Sequence, residues 1–260
     1  MFTRKRLIKG LRDPALLLVW LRRYLIVGGA LRDSECTHLV HAWSSGKLPR
    51  VGVKELFPGI EACGSAVVRS PESRTIGWSL DLQELIHILC VAKYTQARRI
   101  LEIGTFDGFT ALNLAANLDG EGEVCTVDLP LGRPADEWGI FNACDSRIVG
   151  SKFRGQREAN NIRQLWADST TADWKQFGSP FDLILIDGCH DYRYVKSDGA
   201  NAIKHIRPGG TVFWHDYGQF PDVSKAVDEL ARDYPIVAII GTRLACFRSP
   251  GSGASFNASL

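Results

Sequence analysis

Glu102, Asp128, the Asp168-Ser169 pair, Asp187 and the His215-Asp216 pair each close a short apolar run in this 260-residue chain. Carboxylates accept hydrogen bonds from hydroxyls, amines and amides, and an imidazole beside a carboxylate can move a proton. Strand ends meet water and tolerate an acid or two, but five such ends in succession point to one shared site. The chemistry open to them is the binding of a polar cofactor and the removal of a proton from a second molecule.

The elements that must position these residues follow from pattern. Arg98–Thr110 reads RRILEIGTFDGFT, a buried strand carrying Ile100, Leu101 and Ile103, a turn carrying Gly104 and Gly108, and a helix opening at Phe109. Its E-x-G-x-x-x-G-x-T spacing is more open than the G-x-G-x-x-G dinucleotide fingerprint and places a carboxylate, Glu102, at the strand end. Strands follow at Glu123–Val127, Ile162–Ala167, Phe181–Ile186 and Thr211–Trp214, with helical character at Ala111–Leu118, Ala172–Phe177, Tyr192–Ile206 and Val223–Asp233. Upstream, Leu80 to Cys90 repeats at helical spacing, with Ser79 or Asp81 as the cap. Strands alternating with helices predict an α/β fold with a doubly wound, mostly parallel sheet. Ile236–Ile240 and Leu244–Phe247 flank the turn Gly241-Thr242-Arg243, which predicts an antiparallel strand near one edge.

Composition narrows the classes. Net charge is +2 with both signs interspersed, so no nucleic-acid partner is expected. Seven scattered cysteines without a C-x-x-C pair argue against a disulfide framework or structural zinc and fit a reducing cytoplasm. Arg4, Lys5, Arg6, Lys9 and Arg12 precede the apolar run Pro14–Leu21, which Arg22 and Arg23 end well short of the ~20 apolar residues of a spanning helix. A helix packed on the protein is favoured over peripheral contact with an anionic membrane. The expected division is an N-terminal helical or irregular extension over 1–74, a main domain over 75–248 and a disordered tail over 249–260. The insert Leu129–Asn161 is longer than one connection needs and is expected to lie partly over the ligand.

In an open α/β sheet the ligand lies beyond the carboxyl ends of the strands. Asp128 is placed to accept two ribose hydroxyls, and Asp168 with Ser169 to meet an adenine amino group. Gly104, Thr105, Phe106, Gly108 and Thr110 form the turn and helix start, where oriented amides favour the carboxylate of an amino-acid moiety. Glu102 could face a cationic amine. Adenosine at one end and an amino acid at the other describe S-adenosyl-L-methionine.

The segments EIGTFDGFT, TVDLP, LWADST, LILIDGCHDYRYV and RPGGTVFWHDYG resemble class I S-adenosylmethionine-dependent methyltransferases of the methyltransferase-24 type. They are similar to the branch containing caffeoyl-CoA and catechol O-methyltransferases. The resemblance covers roughly Thr75–Arg248 and implies a Rossmann-like, seven-stranded sheet with its last strand antiparallel. It implies O-methylation of a small-molecule hydroxyl on a sugar, phenol or secondary metabolite. It also locates the reacting group at Asp187, which serves both cofactor and acceptor, with His190, His215 and Asp216. In that branch three oxygen ligands bind a divalent cation, so Asp187, His215 and Asp216 are candidate metal ligands. An imidazole among them departs from magnesium's all-oxygen preference and would favour manganese, zinc or iron; manganese or magnesium is the expected cation if one is bound. The metal-free alternative makes His215 or His190 the general base, oriented by Asp216 or Asp187. Tyr192, Tyr194 and Trp138 are candidates to flank an aromatic acceptor. A nicotinamide-dependent oxidoreductase and a cofactor-binding module without catalysis are the competing readings; self-association stays open.

Overall fold

The computed structural model describes residues 46–75, 79–130 and 147–251. The basic stretch Arg4–Arg23, Trp138 with the central part of the insert, and residues 252–260 of the tail lie outside the described residues. No helix among the described residues is long and apolar enough to cross a membrane.

Eight strands form one sheet: β1 (Arg50–Val51), β2 (Arg99–Ile103), β3 (Glu123–Asp128), β4 (Ile162–Trp166), β5 (Phe181–Ile186), β6 (Ile206–Trp214), β7 (Ile236–Ile239) and β8 (Ala245–Arg248). Their spatial order is β1-β7-β8-β6-β5-β2-β3-β4. All neighbours run parallel except β8, which lies antiparallel between β6 and β7. The sheet thus has one strand more than expected. The addition is β1, which pairs with β7 through Arg50↔Ala238 and Val51↔Ile239. Two residues are too few to show an alternating pattern, and they fall where Pro and Gly break every period.

Helices α1 (Leu82–Tyr94), α2 (Phe109–Ala116), α3 (Tyr192–His205) and α4 (Pro221–Leu230) cover the sheet. Period-two alternation sends successive strand residues to opposite faces. On β5, Leu183 and Leu185 join the core formed with α1 and α2, whereas Ile184 and Ile186 join the core formed with α3 and α4. All six β5 residues are buried, which is why the run FDLILI is almost continuously apolar. The helix expected over Ala172–Phe177 is a single 3-10 turn, Trp174–Phe177. α3 ends at His205 and β6 begins at Ile206, so Pro208-Gly209-Gly210, the expected helix stop, lies inside the strand, where pairing with β5 changes register between Phe181 and Leu183.

Of the two candidate caps, Asp81 starts α1, and Glu84 completes a capping box by accepting the Asp81 N–H at 3.0 Å. On α2, two buried asparagines serve as a substitute strand. Asn117 accepts the Val67 N–H at 2.8 Å and donates to the Val67 carbonyl at 2.7 Å. Asn113 accepts the Arg69 N–H at 2.7 Å. The extended chain before α1 therefore lies along α2 with its backbone groups satisfied. At the other edge, the Tyr217 hydroxyl accepts the Leu48 N–H at 2.8 Å and donates to Asp228 at 2.6 Å.

Candidate active site

The carboxyl end of β2 runs directly into the glycine turn. Gly104 has φ +100° and Phe106 φ +45°, both left-handed. A Cβ on Gly104 would stand 2.1 Å from the Asp187 carbonyl oxygen, so glycine is required for the turn to pass against the end of β5. Gly108 precedes α2 at φ +82°, and a Cβ there would meet the Phe153 ring at 2.5 Å. Asp128 pins this turn. Its Oδ2 accepts the Thr105 and Phe106 N–H groups at 3.2 and 3.0 Å, and its Oδ1 accepts that of Leu129 at 2.8 Å. Burial pushes its pKa up, and these three amide donors work against that rise.

Glu102 lies on the same face of β2 as Ile100, beneath the turn. Thr126 donates to its Oε2 at 2.5 Å and also bonds Thr105 Oγ1 at 2.7 Å. Burial, with the charges of Asp187, Asp128 and Asp107 nearby, raises the Glu102 pKa well above the ordinary range. At the start of α2, Thr110 is buried and Asp107 caps the helix. Asp107 accepts the Phe109 N–H at 3.0 Å and the Thr75 hydroxyl at 2.7 Å. Asp107 was not singled out from the sequence, because inside TFDGFT it reads as a turn residue.

Asp168 and Ser169 close β4 beyond Asp128. Asp168 Oδ1 accepts the Thr170 N–H and hydroxyl at 3.1 and 2.6 Å, and Tyr194 reaches Oδ2 at 3.4 Å. Ser169 is buried, and its carbonyl accepts Trp174 Nε1 at 2.8 Å. Behind them on α3 sits Asp198, buried with Oδ1 unpartnered; burial and the Asp168 charge raise its pKa to about 7.

Across Gly104 from this cradle, the ends of β5 and β6 bring Asp187, His190, His215 and Asp216 together. His215 Nδ1 lies 2.9 Å from Asp187 Oδ1, and Nε2 lies 3.0 Å from Glu84 Oε2. Both ring nitrogens therefore donate, and the ring is an imidazolium. Burial opposes that charge, but Asp187, Asp216 and Glu84 outweigh it and raise the pKa well above an ordinary imidazole. Such a ring has no lone pair for a metal or for a proton. His190 stands differently: its Nε2 lies 3.0 Å from Asp216 Oδ2, and its ring stacks on Phe220 at 4.1 Å and 11°.

Arg243 binds the two sides together. It donates to Asp216 Oδ1 at 2.7 Å and to Glu84 at 2.8 and 3.1 Å, while its backbone N–H gives Glu84 a further bond at 2.7 Å. Burial pushes the Glu84 pKa up, yet His215 and Arg243 hold it well below the usual carboxylate range. For Asp216 burial again opposes ionisation, and His215, His190 and Arg243 bring the pKa down to about 2. Glu84 and Arg243 were both missed from the sequence: one reads as a helix residue, the other as a turn residue.

One atom each from Asp187, His190 and Asp216 lies within 4.8 Å of the others, a grouping that could hold a metal ion. The set proposed from sequence had His215 in place of His190. The charge that would draw a cation is already met, because Asp216 is paired with Arg243 and Asp187 with the His215 imidazolium. Tyr192 points away from this site, with its hydroxyl on Glu229 at 2.5 Å and its ring under Lys225.

Residues 101–217 match the methyltransferase-24 family model, described as "Methyltransferase domain". Among solved structures, cofactor-bound Rv0187 from MTB is 15% identical at a TM-score of 0.52, covering 92% of this chain and 98% of that one. The O-methyltransferase TomG from Streptomyces achromogenes, solved in complex with SAM, is 17% identical at a TM-score of 0.50, covering 75% and 93%. These likenesses are ones of fold, and the fold is the Rossmann-like methyltransferase fold. No curated protein matches the chain.

Proposed function

We propose that this chain, which carries a methyltransferase domain over residues 101–217, transfers the methyl group of S-adenosylmethionine to a hydroxyl of a small molecule. The observation that carries this reading is the contact between Gly104 and the Asp187 carbonyl, which sets a cofactor cradle and a proton-handling cluster back to back. The cofactor supplies an electrophilic methyl group on a sulfonium. The chain's own part is to bind, to align and to remove a proton.

Asp128 would hold a ribose hydroxyl with the lone pair that its three amide bonds leave on Oδ1, and Asp168 with Ser169 would meet the adenine edge. The first-turn amides of α2, which have no intrahelical carbonyl to bond, would receive the amino-acid carboxylate beside Thr110. Glu102, beneath the turn, would face the amine. On the acceptor side His190 is the base. Asp216 holds its Nε2 at 3.0 Å, and Phe220 fixes the ring plane. Asp187, oriented by His215, would accept a hydrogen bond from the acceptor hydroxyl.

A divalent cation is not needed to balance Asp187 and Asp216, so no step is routed through one. The nicotinamide alternative is disfavoured by the open E-x-G-x-x-x-G turn and by the methyltransferase match. The scattered cysteines continue to support a cytoplasmic setting. Calorimetric titration with S-adenosylmethionine and S-adenosylhomocysteine tests the cradle, and transfer of a labelled methyl group to a panel of sugars and phenols tests the reaction. Saturable binding of a nicotinamide dinucleotide, with no heat from either sulfur cofactor, would overturn this reading.

A further inference from the structure

Five described cysteines carry free thiols, and the site above uses none of them. Two sit on elements that face each other. Cys63 ends the 3-10 turn Ile60–Cys63, which packs against α1, and Cys90 lies on α1. The turn is anchored there. Phe57 and Ile60 are buried in the core that includes α1, and Tyr94 donates to the Pro58 carbonyl at 2.7 Å while its ring meets Phe57 edge-on at 6.2 Å. Cys90 is one helical turn before Tyr94 and so shares the face that receives this segment. Both cysteines are half-buried, Cys63 donates its thiol to the Gly64 carbonyl at 3.5 Å, and its nearness is felt as a rise in the Cys90 pKa.

We propose that Cys63 and Cys90 form a dithiol site that closes to an intramolecular disulfide by exchange with a low-molecular-weight disulfide. The Cys63 thiolate attacks one sulfur of the small disulfide, making a mixed S–S bond and releasing the first small thiol. The Cys90 thiolate then attacks the Cys63 sulfur and releases the second. The two protons lost by the protein end on the two released thiols, and the two electrons that reduce the small disulfide come from the protein pair. The order follows from the thiols' settings. Burial and the neighbouring Cys63 push the Cys90 pKa up to about 11, so Cys90 is a poor nucleophile toward solution but is well placed for the second, intramolecular attack. The two residues are far apart in sequence and form no recognisable motif, so the pair emerges only in the fold.

The closed ring would hold the segment that crosses α2 at Asn113 and Asn117 and reaches Asp107 through Thr75. A covalent tie at its upstream end would therefore restrain the chain that borders the glycine turn.

The test uses the full-length reduced protein and oxidised glutathione as the probe, and no step of it depends on methyl transfer. Thiol titration after denaturation is expected to fall from seven to five, with an intact-mass loss of two hydrogens and a Cys63–Cys90 peptide on mapping. Cys90→Ser is expected to accumulate glutathione on Cys63, whereas Cys63→Ser leaves Cys90 unmodified. A wild-type map showing Cys63 and Cys90 both reduced after exposure, or either one linked to a different cysteine, would overturn the proposal.

Discussion

The Glu84 carboxylate on α1 lies 3.0 Å from Nε2 of His215, a residue 131 positions further along the chain. Glu84 is wholly buried and faces two cations, His215 and Arg243. Replacing it by Gln takes from both one of their counter-charges, leaving Asp187 and Asp216, and breaking a buried pair in this way costs about 3–5 kcal/mol. Glu84→Gln is expected to lose stability on that scale in denaturant titration, far more than an exposed Glu→Gln change.

The same network fixes the acid limit of the fold. Asp216 is ionised down to about 2 in the folded chain, below its ordinary value, so its contribution is present above that ordinary value and lost as pH falls toward about 2. Glu84 acts in the same sense. His215, whose pKa is raised, contributes below its ordinary value and loses that contribution as pH climbs through the folded one. Unfolding midpoints measured across pH should therefore drop steeply on the acid side, and Asp216→Asn should flatten that drop.

At the glycine turn the expected effect is steric. Gly104→Ala places a Cβ 2.1 Å from backbone in a region of φ that side chains rarely adopt. Small-to-large changes against rigid neighbours cost about 1–3 kcal/mol or more. A lowered melting temperature and loss of S-adenosylmethionine binding are expected together, since the displaced atoms belong to both halves of the site.

Asp128→Ala removes the acceptor for the Thr105 and Phe106 amides as well as the proposed ribose contact. A hydrogen-bonded charge of this kind is worth about 2–3 kcal/mol, or about a hundredfold in affinity. Calorimetry on wild type and variant reads that ratio directly. A variant binding as tightly as wild type would remove Asp128 from the cofactor site.

For the acceptor side, chelator is expected to leave the rate unchanged, and His190→Ala to abolish most of it while cofactor binding survives. Loss of activity in chelator, restored by manganese, would instead assign the Asp187, His190 and Asp216 atoms to a cation.

Much of this arrangement is legible in the residues themselves, because strand ends in an α/β sheet all open on one side. Glu102, Asp128, Asp168, Asp187 and Asp216 announce themselves by closing apolar runs, and the late hairpin declares its antiparallel strand. What stays hidden is whatever enters the site from elsewhere. Glu84 serves α1 as a capping residue, so its local role masks its distant one. Arg243 sits in a turn, where a cation is unremarked. His215 reads as a base or ligand until both of its nitrogens are found on carboxylates, a fact of tertiary geometry that spacing cannot encode. Strand β1 escapes for a simpler reason, since its two residues carry no periodicity.

The antiparallel insertion of β8 between β6 and β7 has a bearing on how the chain assembles during synthesis. Arg243 leads into that strand and follows both Glu84 and His215 in the chain. Until the closing hairpin docks, those buried groups and Asp216 lack the guanidinium that joins them, and the middle of the sheet has an open seam at β6. The chain is thus expected to stay protease-sensitive until β8 docks between β6 and β7, and then to become resistant in one step. The charges of Glu84, His215, Asp216 and Arg243 would act as the latch on that docking step.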